Sequence, residues 1–231
     1  MSFPARMWIA AARARRRLRP LAAGRAREDL VRRHAPGRSF ADVGCMWGVD
    51  GALAFLAERS GATSVTGLDL MPVSPAFVDE HARRGSRVRF VQGDLHDPQV
   101  IADVGRHDVV WCSGVIYHAP NPLLTLERLR SITAETLILA SETIPEVPGL
   151  RQACVFLPGL ADPDRLAHAS ARPGARALGV SEPFDPAHSY GAWWWGISRS
   201  ALHGMLTASG FEILAEYGDG LHATVVARPA C

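Results

Sequence analysis

FADVGCMWG, residues 40–48, begins as a short apolar run and ends in a turn between two glycines. Gly44 allows the backbone to bend sharply against a ligand, and Gly48 allows the next helix to begin close to that ligand. A strand, a glycine turn and a helix in this order form a nucleotide-binding site in many folds. A tight turn without a ligand is the alternative interpretation.

Acidic residues end or follow the next two predicted strands. Asp69 ends the run SVTGLD, residues 64–69, where its carboxylate can accept hydrogen bonds from both hydroxyl groups of a ribose. Asp94 and Leu95 follow the run at 88–93, where Asp94 can accept from the amino group of an adenine while Leu95 packs near the ring. An aspartate after a glycine is often only a turn residue, but its place beside Gly44 and Asp69 favours a nucleoside site.

The glycine turn distinguishes between two cofactors that share such a site. A dinucleotide such as NAD requires the pattern G-x-G-x-x-G, so that its pyrophosphate can approach the backbone closely. This chain instead has Met46 and Trp47 within the turn. S-adenosylmethionine (SAM) carries no phosphate, so the turn favours SAM, with S-adenosylhomocysteine (SAH) as its product.

The order of the predicted elements indicates an α/β fold with a mostly parallel sheet. Short β-type runs alternate with helical stretches from Ser39 onward, which is typical of parallel strands joined by crossover helices. The last two strands are separated by Gly218-Asp219-Gly220, whereas a parallel crossover needs about 10–12 residues, so we expect them to form an antiparallel hairpin. The predicted strands are 39–43, 63–69, 87–92, 107–112, 135–141, 211–217 and 222–228; the predicted helices are 49–59, 74–84, 97–104, 122–132 and 198–209.

Two segments lie outside this alternating pattern. Residues 1–38 predict a basic, helical N-terminal extension, with a helix over 5–34 that is interrupted at Pro20. Residues 143–197 are rich in proline, alanine and glycine and predict a partly helical cap that binds substrate, inserted in a catalytic domain over 39–231.

The sequence of the N-terminal extension is consistent with more than one packing partner. Residues 1–38 hold eleven arginines and two acidic residues, and the apolar residues among them could pack on the catalytic domain or on a second subunit, as in a homodimer. A solvated helix face and a surface for nucleic acid are both consistent with the basic residues, which include Arg13, Arg15, Arg16, Arg17 and Arg19.

Composition excludes several classes of protein. The four cysteines are widely spaced and form no C-x-x-C pair, which favours a reduced, cytoplasmic protein. No apolar run approaches the ~20 residues that span a bilayer, so we expect neither export nor membrane insertion. The nine histidines show no metal-ligand spacing, so we expect no metal.

The fourth predicted strand adds a resemblance to a known family. The segment CSGVIYHAPNP, residues 112–122, together with the D-V-G-C turn, resembles class I SAM-dependent methyltransferases. Within that class it is similar to the tRNA wobble-uridine methyltransferase-like (CmoB-like) group, over about residues 39–228. The resemblance implies a Rossmann-like fold with a seven-stranded, mostly parallel sheet and a C-terminal antiparallel hairpin. Two features depart from the group. Ile197 replaces a proline, and His222 stands where the additional carboxylate of carboxy-SAM would need a basic partner. A neutral histidine is a poor partner for that carboxylate, so His222 favours ordinary SAM.

The resemblance also implies roles for individual residues. Tyr117 would lie over the reacting end of the cofactor, and Ser113 beside its methionine part. His118 is the leading candidate for a general base, because it follows the fourth strand at the edge of the sheet where ligands bind. A backbone-bonded structural histidine is the alternative for His118, and His188, His222 and Glu142 are weaker candidates for the base. The predicted cofactor-binding residues are Asp42, Gly44, Cys45, Gly48, Asp69, Leu70, Asp94, Leu95, Ser113 and Tyr117, and the predicted substrate-binding residues are Glu142, Trp194, Trp195 and His222.

These observations predict a SAM-dependent methyltransferase that acts on an oxygen, or less favourably a nitrogen, of a small molecule such as a sugar or a secondary metabolite. An RNA-modifying methyltransferase is the alternative supported by the N-terminal arginines. A non-catalytic SAM-binding protein is the alternative from a different class.

Overall fold

A computed structural model describes residues 20–46, 49–156, 195–219 and 221–230. The described chain contains nine strands. They are β1 (Ser39–Val43), β2 (Ser64–Asp69), β3 (Arg89–Gln92), β4 (His107–Ser113), β5 (Thr133–Glu142), β6 (Cys154–Phe156), β7 (Trp195–Ile197), β8 (Phe211–Asp219) and β9 (His222–Pro229).

Six helices join these strands in the described chain. They are α1 (Pro20–His34), α2 (Ala52–Arg59), α3 (Pro75–Arg84), α4 (Pro98–Val104), α5 (Pro122–Ile132) and α6 (Arg199–Ala208). Short polar side chains begin four of them, because Ser74, Asp97, Asn121 and Ser198 each accept a hydrogen bond from a backbone N–H of the first turn. A proline follows the first three of these caps and fixes the backbone dihedral at the first helical position.

Seven of the strands form one sheet in the order β3-β2-β1-β4-β5-β9-β8. The first five strands are parallel, and β9 pairs antiparallel with both β5 and β8. The predicted seven-stranded, mostly parallel sheet with a terminal hairpin is therefore confirmed. The chain order reverses between β1 and β4, and ligands in open α/β sheets bind outside the carboxyl ends of the strands at such a point.

Helices cover both faces of the sheet and bury its apolar side chains. One face packs against α1, α2 and α3, where Phe40 and Trp111 are fully buried. The other face packs against α4, α5 and α6, where Leu126 and Leu206 are fully buried. Because the strands are apolar on both faces, the polar residues that the sheet exposes are concentrated at the ends of its strands.

Beyond shifts of one or two residues at the ends of elements, the structure adds detail to the predicted elements at two places. The helix predicted from residue 49 begins at Ala52, because Asp50 and Gly51 adopt positive φ angles of 47° and 73° and form a turn instead. The described ends of the predicted cap are extended rather than helical: β6 and β7 pair antiparallel, apart from the main sheet. The remainder of the cap (157–194) and residues 1–19 lie outside the described residues.

Asp108 joins the starts of β1 and β4, and its substitution tests that junction. Its Oδ2 atom accepts hydrogen bonds from the backbone N and the hydroxyl group of Ser39, both at 2.8 Å. These bonds hold the pKa of Asp108 below its usual range, so the carboxylate stabilises the fold at neutral pH and less so as pH falls through that pKa. We expect Asp108→Asn to lower the free energy of unfolding by about 1 kcal/mol at pH 7. This value is that of a hydrogen bond to a charged group, reduced because solvent screens the charge. Denaturant unfolding from pH 7 to pH 3 checks this: the difference from wild type should narrow in acid, and a constant difference would contradict the assignment.

Candidate active site

A cavity opens at the carboxyl ends of the parallel strands, beside the reversal between β1 and β4. Its volume of about 240 Å³ lies near the lower end of the ~300–1,000 Å³ range of small-molecule sites. Eleven residues singled out in the sequence line it: Asp42, Gly44, Asp69, Leu70, Asp94, Leu95, Ser113, Tyr117, His118, Glu142 and His222.

Gly44 shapes the floor of the cavity. Its φ angle is 82°, and a β-carbon built there would lie 2.6 Å from Val115 Cγ2 and 2.7 Å from the carbonyl oxygen of Ser113. A side chain at this position would therefore be strained by the backbone conformation and would also collide with the end of β4. The glycine is required because β1 and the segment after β4 approach each other so closely here.

Asp69 holds the turn that contains Gly44. Its Oδ2 accepts a hydrogen bond from the Met46 backbone N at 2.7 Å, and its Oδ1 accepts one from the Met71 backbone N at 2.9 Å. The side chain is buried and lines the cavity. Since each carboxylate oxygen can accept more than one hydrogen bond, Asp69 can hold the turn and still accept from a ligand.

Asp42 is a buried carboxyl group of the cavity whose pKa is strongly raised. Burial raises its pKa to about 7, and the negative charge of Asp69 adds to the rise, while a hydrogen bond from the Ala54 backbone opposes it. Two acidic groups therefore share a poorly solvated site in which one is partly protonated near neutrality. A cationic ligand in this part of the cavity would favour ionised Asp42.

Asp94 and Leu95 occupy the outer end of the cavity, after β3. The Asp94 Oδ1 atom accepts a hydrogen bond from the His96 backbone N at 2.8 Å, and Leu95 is buried. The residue before them, Gly93, donates its backbone N–H to the Asp69 carbonyl at 2.9 Å. This hydrogen bond joins the segment after β3 to the end of β2. Asp69 and Asp94 therefore line the same cavity.

Tyr117 and His118 lie in the segment after β4. Both are buried, their ring centroids are 4.4 Å apart, and both line the cavity. The His118 backbone N donates to the Val115 carbonyl at 3.0 Å, and the Tyr117 carbonyl accepts from the Trp195 backbone N at 3.1 Å. The segment is therefore fixed both within itself and by the first residue of β7.

The far wall of the cavity contains Arg27, which sequence reasoning missed. Its guanidinium donates to His222 Nε2 at 2.9 Å, and His222 is the register partner of Glu142 across β9 and β5. A signal for Arg27 was present in the sequence: Leu30 and Val31, three and four residues later on α1, are apolar and lie on the same helix face. Both are buried against the sheet, so that face carries Arg27 toward the domain.

Two predicted site residues of the described chain, Cys45 and Trp195, are absent from the lining of the cavity. Cys45 is fully buried, with its Sγ beside Gly67 of β2, and burial raises the pKa of its thiol. Trp195 is half-buried in β7, where its ring lies 4.7 Å from that of Phe156. Their side chains pack against protein, and their predicted contacts with cofactor and substrate stay predictions. Gly48 and Trp194 lie outside the described residues.

The described residues also bear on metals and membranes. Within them, His, Cys, Asp and Glu side chains form no group of three or more that could hold a metal ion. No helix of the described chain is both long and apolar enough to cross a membrane.

Part of the chain matches a known protein family. Residues 40–135, from β1 into β5, match a family described as a methyltransferase domain. The matched segment contains the glycine turn and the acidic strand ends, and it is similar to domains of the methyltransferase class. SAM, the predicted cofactor, is the methyl donor of this class.

Among curated proteins, the chain is similar to the ubiquinone biosynthesis O-methyltransferase of Vibrio parahaemolyticus serotype O3:K6. The two are 34% identical over 88 residues, which is 38% of this chain and 35% of the Vibrio protein. The chain thus matches about a third of the length of the curated relative. The CmoB-like subgroup stays a prediction, since the curated similarity is to ubiquinone O-methyltransferases.

Among solved structures, the chain is similar to the N-terminal domain of EvdMO1, crystallised in the presence of SAH and D-fucose. The TM-score is 0.62 at 19% identity, over 89% of this chain and 82% of that one. The [4+2]-cyclase SpnF is also similar, with a TM-score of 0.57 at 17% identity, over 88% of this chain and 79% of the cyclase. These likenesses show the class I methyltransferase fold.

Asp42 makes a testable contribution to the pH dependence of stability. Its pKa is raised in the folded chain to about 7, so the folded state binds more protons than the unfolded state between about pH 4 and pH 7. Asp42 therefore destabilises the fold progressively as pH rises through that window. We expect Asp42→Asn to become increasingly stable relative to wild type from pH 4 to pH 8, measured by denaturant unfolding. Asp79→Asn, at an exposed position of α3, is the control and should show no such trend above pH 5. A stability difference for Asp42→Asn that did not change with pH would show that the carboxyl group is not buried in its charged form.

Proposed function

We propose that the protein transfers a methyl group from SAM to an oxygen of a small molecule. The observation that carries this proposal is the set of three carboxylates, Asp42, Asp69 and Asp94, which line one cavity with the Gly44 turn. SAM bears a cationic sulfonium and ammonium group and no phosphate, so it suits this acidic cavity. The pyrophosphate of NAD would be repelled by the same carboxylates.

The proposed cofactor contacts follow the order of the strands. Asp69 accepts from the ribose hydroxyl groups, and Asp94 with Leu95 holds the adenine. Further contacts come from the backbone at Gly44 and Gly48 and from Leu70. Ser113 lies beside the methionine part, with Asp42 near its positive charge. Ionised Asp42 balances the positive charge there, so cofactor binding releases a proton when it begins from protonated Asp42.

SAM supplies an electrophilic methyl group that an oxygen nucleophile displaces in line. The residues of the chain then have two tasks, which are to align the acceptor and to receive its proton. Tyr117 and His118 line the cavity at the end of β4, where they can flank an acceptor held at about 3–3.5 Å from the reacting carbon. Burial of both side chains limits the access of water to this part of the cavity.

His118 is the proposed general base. An arginine can only donate hydrogen bonds, so the contact with Arg27 requires His222 Nε2 to act as the acceptor. That contact occupies the ring nitrogen of His222 that could otherwise take a proton. The similarity to an O-methyltransferase of Vibrio supports an oxygen acceptor, which gains most from a base.

Cofactor binding is the first test of the proposal. A ligand at a hundred times its dissociation constant adds about 2.7 kcal/mol to the free energy of unfolding, which is readily measured as a rise in melting temperature. We expect SAM and SAH to stabilise the protein and NAD to leave it unchanged. A preference for carboxy-SAM would instead support the tRNA-modifying alternative, and no response to any of the four would contradict the proposal.

Asp69 gives a sharper test of the cofactor site. Loss of a hydrogen bond to a charged acceptor costs about 1.5–3 kcal/mol, so Asp69→Asn should weaken SAH binding by roughly 10-fold to 100-fold. Isothermal titration calorimetry measures this, with Asp79→Asn as the matched control that should bind as wild type does. Asp69 also holds the glycine turn, so circular dichroism must show that the variant is folded. A folded Asp69→Asn variant with unchanged affinity would rule out the ribose contact.

His118 is tested through turnover. With an acceptor found by monitoring SAH release, His118→Asn should lower kcat by about 10²-fold to 10⁴-fold, the usual contribution of a general base, and leave SAH affinity unchanged. His203→Asn, at a half-buried position of α6 where the ring meets Glu216, is the control. An unchanged kcat for His118→Asn would reduce His118 to a structural residue. Binding of SAM without turnover of any acceptor would favour the non-catalytic alternative, and the [4+2]-cyclase SpnF illustrates that this fold also occurs in a protein named for another reaction.

A further inference from the structure

Arg27 occupies an unexpected place in the cavity. It belongs to α1, which precedes the sheet, and Leu30 and Val31 on the same helix face anchor that helix against the sheet. The side chain is partly buried, and its guanidinium reaches His222 at the start of β9. A residue outside the alternating strands and helices thus completes the wall of the site.

The hydrogen bond with His222 positions the Arg27 guanidinium and occupies only part of its N–H donors. One NH2 group donates to His222 Nε2 at 2.9 Å, and this is the polar contact that Arg27 makes within the described residues. A guanidinium has five N–H donors arranged in a planar fork, so most of them stay available to a ligand. Because one end of the guanidinium is already held, Arg27 loses less conformational entropy than an unrestrained arginine when it binds a carboxylate through two parallel hydrogen bonds.

Position along the sheet edge separates Arg27 from the proposed cofactor contacts. Asp42 lies on β1, Asp69 on β2, and Asp94 after β3, whereas His222 lies on β9, three strands from β1 on the opposite side. At about 4.8 Å per strand, the start of β9 is about 14 Å from the end of β1 and farther from β2. Tyr117 and His118 follow β4, which lies between these two groups. The proposed cofactor occupies the side of β4 that contains β1, β2 and β3. An acceptor that contacts His118 from the other side of β4 therefore extends over β5 and β9, toward Arg27.

We propose that Arg27 recognises a carboxylate on the methyl acceptor, so that the enzyme selects acidic small molecules. Among the described residues that line the cavity, Arg27 is the one permanent cation, and it lies beside β9, away from Asp42, Asp69 and Asp94. Glu142, opposite His222, would repel such an acceptor if the arginine were absent. This inference rests on the proposed function, since it assigns the acceptor of the same site.

The test compares a carboxylate with its neutral amide. Wild-type protein saturated with SAH is titrated with 4-fluorobenzoate and, separately, with 4-fluorobenzamide, and binding is followed by 19F NMR. We expect the carboxylate to bind at least 10-fold more tightly than the amide. We expect Arg27→Gln to remove this preference and Arg27→Lys, which keeps the charge and loses the fork, to retain part of it. The control Arg33→Gln, at an exposed position of the same helix, should bind as wild type does.

His222 provides a second set of variants. His222→Gln retains a side-chain oxygen that can accept from Arg27 and should preserve the preference for the carboxylate, whereas His222→Leu should reduce it. Thermal unfolding and SAH affinity are measured for every variant, so that loss of the fold or of the cofactor site is recognised.

Several outcomes would overturn this inference. One is equal binding of the two probes to wild-type protein, and another is an unchanged preference for the carboxylate in Arg27→Gln. A third is an Arg27→Gln variant that loses only SAH affinity, which would assign the guanidinium to the carboxylate of the cofactor. Failure of the proposed function has a different signature, which is wild-type protein that does not bind SAH. In that case the titration without SAH still decides whether Arg27 prefers the carboxylate.

Discussion

Crowding at Gly44 is the constraint on which the site depends. The turn after β1 passes so close to the end of β4 that a single added carbon would lie within 2.7 Å of Val115 and of the Ser113 carbonyl. Because the two segments touch, the side chains that follow β4 lie over the same cavity as those at the ends of β1 and β2. Asp69 then fixes the turn from the other side by accepting the backbone N–H of Met46. Without this close approach, Asp42 and His118 would not face one space.

Charge is distributed unevenly along the edge of the sheet. The strands on one side of β4 present three carboxylates to the cavity, whereas on the other side Arg27 of α1 and His222 of β9 lie beside the carboxylate of Glu142. A cationic group and an acidic group would therefore settle at opposite ends, with the buried Tyr117 and His118 between them. For a transfer reaction this arrangement has a clear benefit, because electrostatics alone would orient two reactants before any specific contact forms.

Local chemistry explains why so much of the fold could be predicted from the sequence. Residues such as Ser74 and Asn121 begin helices for reasons that operate within four residues of chain, and alternation of apolar runs with these caps defines the strands. Asp69 and Asp94 could be placed because parallel strands bring their carboxyl ends to one edge. The positions of other side chains near the site depend on longer-range packing. Cys45 turns toward Gly67 because that glycine leaves room for its sulfur, and no local pattern records such a complementarity. Arg27 was missed for a related reason, since its contact with His222 joins positions 195 residues apart.

The bond between Trp195 and Tyr117 has a different character from the other contacts of the site. Its donor and acceptor both belong to the main chain, so it survives almost any exchange of either side chain, proline at 195 excepted. The indole of Trp195 is therefore free to vary over evolutionary time while the segment that carries His118 keeps its anchor. Descendants of this protein could change what lies beside the cavity by mutation at 195 without first loosening the residues proposed to act on the acceptor.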